Sequence, residues 1–263
     1  MKKLSIIATG LLSLGCLCAE DSATVKTMEW QSKLSGNIGM KFESEHVNHG
    51  RKEIHGPAFV PSVEVSYQLF DAARAYVGTE AALRMKNTGV NDVAPYVGCM
   101  YDINDMFTVD AGYTHHFFDG LNEGCKRDTN EIYLGVLADV MFSPSLYCEY
   151  DFDREEINVV AAAGYSFDLS QYAINGLCVD LGTKIGYDRA SKPLGENYNK
   201  ASHGDKDYAY YGLNADLVYS ITDNAKARAG VAYEGNSAKK EAWTNVLGHK
   251  NMMWFNASVD CAF

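Results

Sequence analysis

The chain has 263 residues, 47% of them hydrophobic and 22% charged, with 23 Gly against 5 Pro, a composition that excludes a disordered or fibrous protein and suits one folded domain. Its formal net charge of −11 argues against a nucleic-acid partner, because phosphate binding needs clustered Lys and Arg. Beyond the first residues, no stretch approaches the roughly 18 consecutive apolar residues of a membrane helix, so a helical membrane protein is excluded.

The N-terminus has the plan of an export signal. Lys2 and Lys3 form a positive region, residues 4–17 an apolar one, and Ala19 offers a small residue for cleavage before Glu20. The expected organisation is therefore a signal peptide over 1–19 and one domain over 20–263. The apolar run is too short for a span of about 20 residues. Gly15-Cys16 raises lipidation as a rival, but Ser13 is a poor match to the branched apolar residue that lipidation signals prefer.

After the signal, apolar and polar side chains alternate with a period of two, stretch after stretch. Trp30, Leu34, Ile38, Met40 and Phe42 begin the series. Pro61, Val63, Val65, Tyr67 and Leu69 follow, a tight turn comes at Phe70-Asp71, and Ala73, Ala75, Val77, Ala81, Leu83 and Met85 return. Val93, Val97 and Tyr101 lead through a turn to Phe107, Val109, Ala111, Tyr113 and Phe117. In the second half the stripes run through Ile132 to Val140, Leu146 to Phe152, Ile157 to Phe167, Leu177 to Tyr187, Tyr211 to Tyr219, Ala225 to Tyr233 and Met253 to Phe263. Each has the length of a tilted strand crossing a membrane, and together they make about twelve.

The connections alternate short and long. Brief turns fall at Phe70, Asp102, Ser143, Asp168 and Thr222, and longer polar segments at 45–56, 86–91, 118–129, 189–206 and 235–250, with a short exception at 153–156. Aromatic residues gather at two levels. Tyr67, Tyr101, Phe107, Phe167, Tyr219 and Phe263 lie toward the short turns, and Phe42, Phe117, Phe152, Tyr187, Tyr211 and Tyr233 toward the long loops. Two such rings are the interfacial girdles of a membrane barrel.

The last stretch, 252–263, ends in register on Phe263 with Cys261, Val259, Ala257, Phe255 and Met253 on the same face. Here the chain resembles bacterial outer-membrane β-barrel proteins of the small porin-like kind, whose closing strand ends in a terminal aromatic. The resemblance implies an all-β fold, a closed antiparallel transmembrane β-barrel with short periplasmic turns and long extracellular loops. It also implies a place in the outer membrane among its lipids, and Phe263 as the assembly signal read by the outer-membrane assembly machinery.

Two of the 7 cysteines, Cys16 and Cys18, lie in the signal. Of the rest, alternation puts Cys99, Cys148 and Cys261 on the lipid-facing stripe, Cys178 on the polar face and Cys125 in a loop, which is no disulfide framework.

About twelve strands leave a narrow lumen. Alternation turns Lys33, Lys41, Glu64, Arg74, Glu80, Arg84, Asp110, Asp139, Glu149, Asp151, Asp180, Lys184, Asp216, Arg228 and Asp260 inward. The pore-lining set is expected to be Lys41, Glu64, Glu80, Arg84, Glu149, Asp151, Asp180, Lys184 and Arg228, with Glu64, Glu80, Glu149, Asp151 and Asp180 nearest mid-height. The same charges read two ways. Either the lumen is an open pore for small hydrophilic solutes or ions, mildly cation-preferring, or the charges pair as internal salt bridges in a plugged barrel. Small residues such as Gly78, Gly98, Gly112, Gly164 and Gly182 between the charges favour the open reading. The alternative function is a non-conducting barrel whose loops mediate adhesion or partner binding.

No enzyme is expected. His115 and His116 lack a serine two positions on, and no Gly-x-Ser-x-Gly occurs. No cofactor is implied. The first long loop, with Glu45, His46, His49, Glu53 and His55, is a weak candidate for a metal, in which His46 and His49 would meet on one face of a helical turn.

Overall fold

The computed structural model describes residues 33–86, 90–119, 128–172, 174–190, 207–238 and 250–263. The segment 1–19, the early residues Trp30 and Gln31, and Cys125 lie outside the described residues. Among the described residues fourteen strands follow one another. They are β1 (Leu34–Glu43), β2 (His46–Asn48), β3 (Arg51–Ile54), β4 (Ala58–Phe70), β5 (Ala73–Arg84), β6 (Asn91–Asp102), β7 (Phe107–Asp119) and β8 (Asp128–Ala138). The rest are β9 (Ser145–Asp151), β10 (Glu156–Asp168), β11 (Leu177–Ala190), β12 (Asp207–Thr222), β13 (Ala225–Asn236) and β14 (Asn251–Ala262).

All of them except β2 and β3 form one closed antiparallel barrel of twelve strands in sequential order, with β14 returning to β1. The seam runs from Asn37 opposite Ala262 to Glu43 opposite Asn256. It is finished by Phe263, whose backbone N–H donates to the Gly36 carbonyl at 3.0 Å and whose carbonyl accepts from the Gly36 N–H at 2.9 Å. Closure leaves no unpaired strand edge, the condition that lipid imposes on a sheet.

Alternation has sorted the side chains as the sequence implies. Val77, Val97, Leu134, Leu146, Ile185, Leu213, Phe255 and Val259 lie exposed on the outer wall, and Tyr67, Tyr101, Phe167, Tyr219 and Phe263 ring it at the turn end. Cys99, Cys148 and Cys261 share that outer surface as free thiols. In water such a surface would be untenable; in hydrocarbon it is the favoured solvent contact. Among the described residues no helix is long and apolar enough to cross a membrane.

The segment 45–56 departs from its expected role as a solvated loop. It forms the β2–β3 hairpin and folds into the barrel. The turn is two residues long, with Asn48 opposite Arg51 and positive φ at both His49 (47°) and Gly50 (70°), the turn that matches the twist of a hairpin. Gly50 is required twice over, because a Cβ there would also meet the Cβ of Tyr210 at 2.6 Å. The hairpin has apolar anchors of its own. Val47 is buried against Ala232, Met252 and Trp254, and Ile54 against Ala58, Val60 and Ala82. Each such burial contributes about 1.5–3 kcal/mol, which holds the hairpin in the lumen and not in solvent.

Candidate functional site

The site is the lumen, and two fillings shape it. The first is the hairpin. It leaves the wall between β1 and β4 and reaches to the far side. There Gly50 N–H donates to Glu234 at 2.9 Å, Asn236 donates to the Gly50 carbonyl at 2.8 Å, and Tyr208 Oη donates to the His49 carbonyl at 2.9 Å. The Arg51 guanidinium lies 2.7 Å from Glu156 and 3.3 Å from Asp188, on β10 and β11, and His49 lies 3.3 Å from Glu149 on β9. The tip is thus bound by hydrogen bonds and ion pairs to five consecutive strands, β9 to β13, and the charge-assisted ones are the strong ones.

The second filling is a slab of tyrosines on β5 to β9. Asp110, fully buried, accepts from Tyr76 at 2.6 Å and from Tyr147 at 3.0 Å; Tyr76 also shares a hydrogen bond with Tyr133, and Tyr96 donates to Glu64 at 3.1 Å. Each ring lies over a glycine directly across the ladder. The pairs are Tyr76 with Gly98, Tyr96 with Gly78, Tyr133 with Gly112 and Tyr147 with Gly135. A Cβ on Gly98 or Gly112 would stand 2.2 Å from the facing tyrosine oxygen. This corrects the expectation that Gly78, Gly98 and Gly112 keep the lumen open: they are small because rings occupy the space above them.

Between these fillings, among the described residues, lie two cavities. A lower one of about 130 Å³ lies against β11 to β14, β1, β4 and β5, among Lys41, Lys184 and Arg228 and the carboxylates Glu43, Glu80, Asp216, Glu234 and Asp260. An upper one of about 90 Å³ lies between the hairpin and β5 to β10, among Arg51, Arg154, His46, His49 and His116 and the carboxylates Glu53, Glu80, Asp92, Glu131, Glu149, Asp151 and Glu156.

The expected pore residues divide accordingly. Lys41, Glu80, Lys184 and Arg228 line the lower cavity, and Glu80, Glu149 and Asp151 the upper. Lys41 pairs with Glu43 at 3.1 Å, Lys184 with Glu234 at 2.5 Å, and Arg228 with Asp180 at 3.0 Å. Glu64 belongs to the tyrosine slab, Asp180 stands behind Arg228, and Arg84 is at the loop end of β5; these three line neither cavity. Asp151 is not at mid-height. It is the last residue of β9, where one oxygen accepts from the N–H groups of Asp153 at 2.8 Å and Arg154 at 2.9 Å, so the turn uses it. Glu149 is held by His49 and by Asn158, the latter at 2.7 Å.

The expected meeting of His46 and His49 does not occur, because the segment is a hairpin and not a helical turn. His46 Nδ1 is 2.6 Å from Glu43, while His49 faces Glu149 and Asp188; His55 is exposed. Burial opposes charge on His46 and His49, yet adjacent carboxylates outweigh it and raise both above the ordinary value, Glu43 and Glu53 for His46, Glu149 and Asp188 for His49. His49, Glu156 and Asp188 offer three ligand atoms within 4.8 Å of one another. The guanidinium of Arg51 already supplies the positive charge there, so the group reads as an ion-pair network. Sequence reasoning missed Glu43, Arg51, Glu156, Asp188 and Glu234, although alternation turns Glu43, Asp188 and Glu234 inward.

The architecture has known counterparts. NanC porin superimposes with a TM-score of 0.51 at 13% identity, over 85% of this chain and 98% of that one. An outer membrane channel from Pseudomonas putida F1 gives 0.52 at 11%, over 91% and 100%. The chain has the fold of porin-like outer-membrane β-barrels. LpxR from Salmonella typhimurium, an enzyme, matches this barrel as well, with a TM-score of 0.53 at 8% identity over 86% of this chain and 99% of that one. No family model and no curated protein matches the barrel's sequence. At these identities the likeness concerns the fold, and the lumen must speak for function.

Proposed function

We propose that the barrel is a passive diffusion channel for small hydrophilic solutes, narrow and cation-preferring, and not an enzyme. The observation that carries this reading is the lining of the two cavities. In each, carboxylates outnumber Lys and Arg, five to three in the lower and seven to two in the upper. Counting the upper cavity's His46, His49 and His116 as cations still leaves an acidic excess there. A narrow path between low-dielectric walls focuses that imbalance and concentrates cations. The channel neighbours agree with a conducting role, and His116, paired with Asp92 at 2.8 Å, is occupied as an ion-pair partner and not as a base.

A second reading has one specific support. The hairpin and the tyrosine slab fill much of the lumen, as they would in a closed barrel whose function is left to partners of its loops. Recording in planar bilayers decides between them. Discrete steps and a reversal potential of cationic sign under a potassium chloride gradient are expected. Absence of steps would favour the closed barrel, and an anionic potential at both low and high salt would overturn the charge argument.

A further inference from the structure

The two cavities are not stacked. The upper lies over β5 to β10 and the lower over the opposite wall, because the tyrosine slab fills the space beneath the one and the hairpin the space above the other. A solute that enters above must therefore cross the lumen sideways before it leaves below. Among the described residues only one lines both cavities, Glu80 on β5.

The surroundings of Glu80 explain why the crossing falls there. On the lower side Lys41 is committed to Glu43, which in turn holds His46 at the root of the hairpin, so the chain Lys41–Glu43–His46 forms one jamb of the passage. Neighbours on β4 and β6 leave room on the other. Glu80 faces Ser62 on β4 and Ala94 on β6, both small, where the tyrosine slab two residues away has Gly78 beneath Tyr96. Glu43, Glu149, Glu156 and Glu234 are each held in an ion pair by a named cation, whereas Glu80 has Lys41 and His46 only as more distant charges, both engaged by Glu43. A carboxylate at a junction without a close ion-pair partner can take a passing cation as its partner; one locked in a salt bridge cannot.

We infer that the solute path is diagonal and that Glu80, at the crossing between the cavities, is the residue that selects for charge. The inference rests on the channel reading. It ranks Glu80 above Glu149 and Asp151, whose oxygens are engaged by His49, Asn158 and the turn after β9.

The test uses the whole barrel in planar bilayers. In Glu80→Gln the cation-to-anion permeability ratio should fall by about threefold or more, as the loss of a unit charge beside a narrow path gives, while Asp168→Asn, exposed at the turn end of β10 and lining neither cavity, changes it little. In Glu80→Cys, a negatively charged methanethiosulfonate should restore cation preference and a positively charged one should lower conductance and reverse it, from either side of the membrane. The parent protein, with its lumen-facing Cys178, is the control for the reagents. A normally conducting Glu80→Gln channel with unchanged selectivity would overturn the assignment. So would an introduced thiol that mass spectrometry shows to be modified without effect, or one that no reagent reaches. A parent barrel that does not conduct would instead sink the channel reading itself, which separates the two failures.

Discussion

Arg51 is the most informative residue of the hairpin to remove. Its guanidinium sits 2.7 Å from Glu156 and 3.3 Å from Asp188, and both carboxylates are buried. Taking one partner from a buried ion pair costs about 3–5 kcal/mol, because the remaining charge is left without compensation. Glu156 keeps Arg154 at 2.5 Å and Asp188 keeps only His49 at 3.9 Å, so in Arg51→Gln the group left short of a partner is Asp188, and the lower end of that range, about 3 kcal/mol, applies. At 1.36 kcal/mol per decade this lowers the docked population relative to the undocked by about two powers of ten. The loss is as large as one whole apolar anchor, Val47 or Ile54. Hydrogen exchange of the hairpin amides and single-channel conductance would be measured together. Exchange should accelerate by about the same two powers of ten if the hairpin opens independently of the barrel, and conductance should rise as the lumen clears. Adding Asp188→Asn should recover much of the docking. Parental exchange and conductance in Arg51→Gln would refute the idea that this network holds the hairpin in place.

The hairpin histidines and the terminal residue give two further tests. His46 and His49 have raised pKa values when docked, so their contribution to docking is fully present below their ordinary value of about 6.5 and is lost as the pH rises through the raised values; conductance should grow toward alkaline pH, and an equal growth in a His46→Gln, His49→Gln double variant would count against it. The groups that face them are Glu43, Glu53 and Lys41 for His46, and Glu149, Asp188 and Arg51 for His49. Deleting Phe263 removes two backbone hydrogen bonds to Gly36 and the ring that lies over it, so the yield of heat-modifiable, folded barrel should fall; an unchanged yield would speak against a role in assembly.

Much of this fold was legible because a membrane barrel obeys one simple rule on each side of its wall. The outward stripe of Val77, Val97 and Leu134 and the aromatic rings at two levels need only a period of two and an apolar solvent, both of which sequence displays. The lumen follows no such rule. Val47 and Ile54 are single apolar residues in a polar segment, too few to announce a strand, and β2 and β3 have only three and four residues. The one local sign was His49-Gly50, a turn pair between them, and its meaning depends on the far wall that receives it. Likewise Gly98 and Gly112 look like open space until the register sets Tyr76 and Tyr133 opposite them. Alternation names the face of a residue; it does not say what reaches across to cover it.

The tyrosine and glycine pairs have a consequence for how the chain finds its closure. A slip of one residue between strands is forbidden by solvent, since it would turn every charge to lipid. A slip of two keeps both faces correct, and nothing in the apolar stripe resists it. The pairs do. Moving β6 by two against β5 would drive Tyr96 against Tyr76 or against Glu80, and would leave Gly98 or Gly78 with no ring to cover it. Repeated on β7 with β8, on β8 with β9, and on β11 with β12, where Gly186 faces Tyr210, the same arrangement acts as a set of keys cut along the ladder. The shear of the barrel, and with it the girth of the lumen, is thereby written into a handful of positions that never meet the membrane.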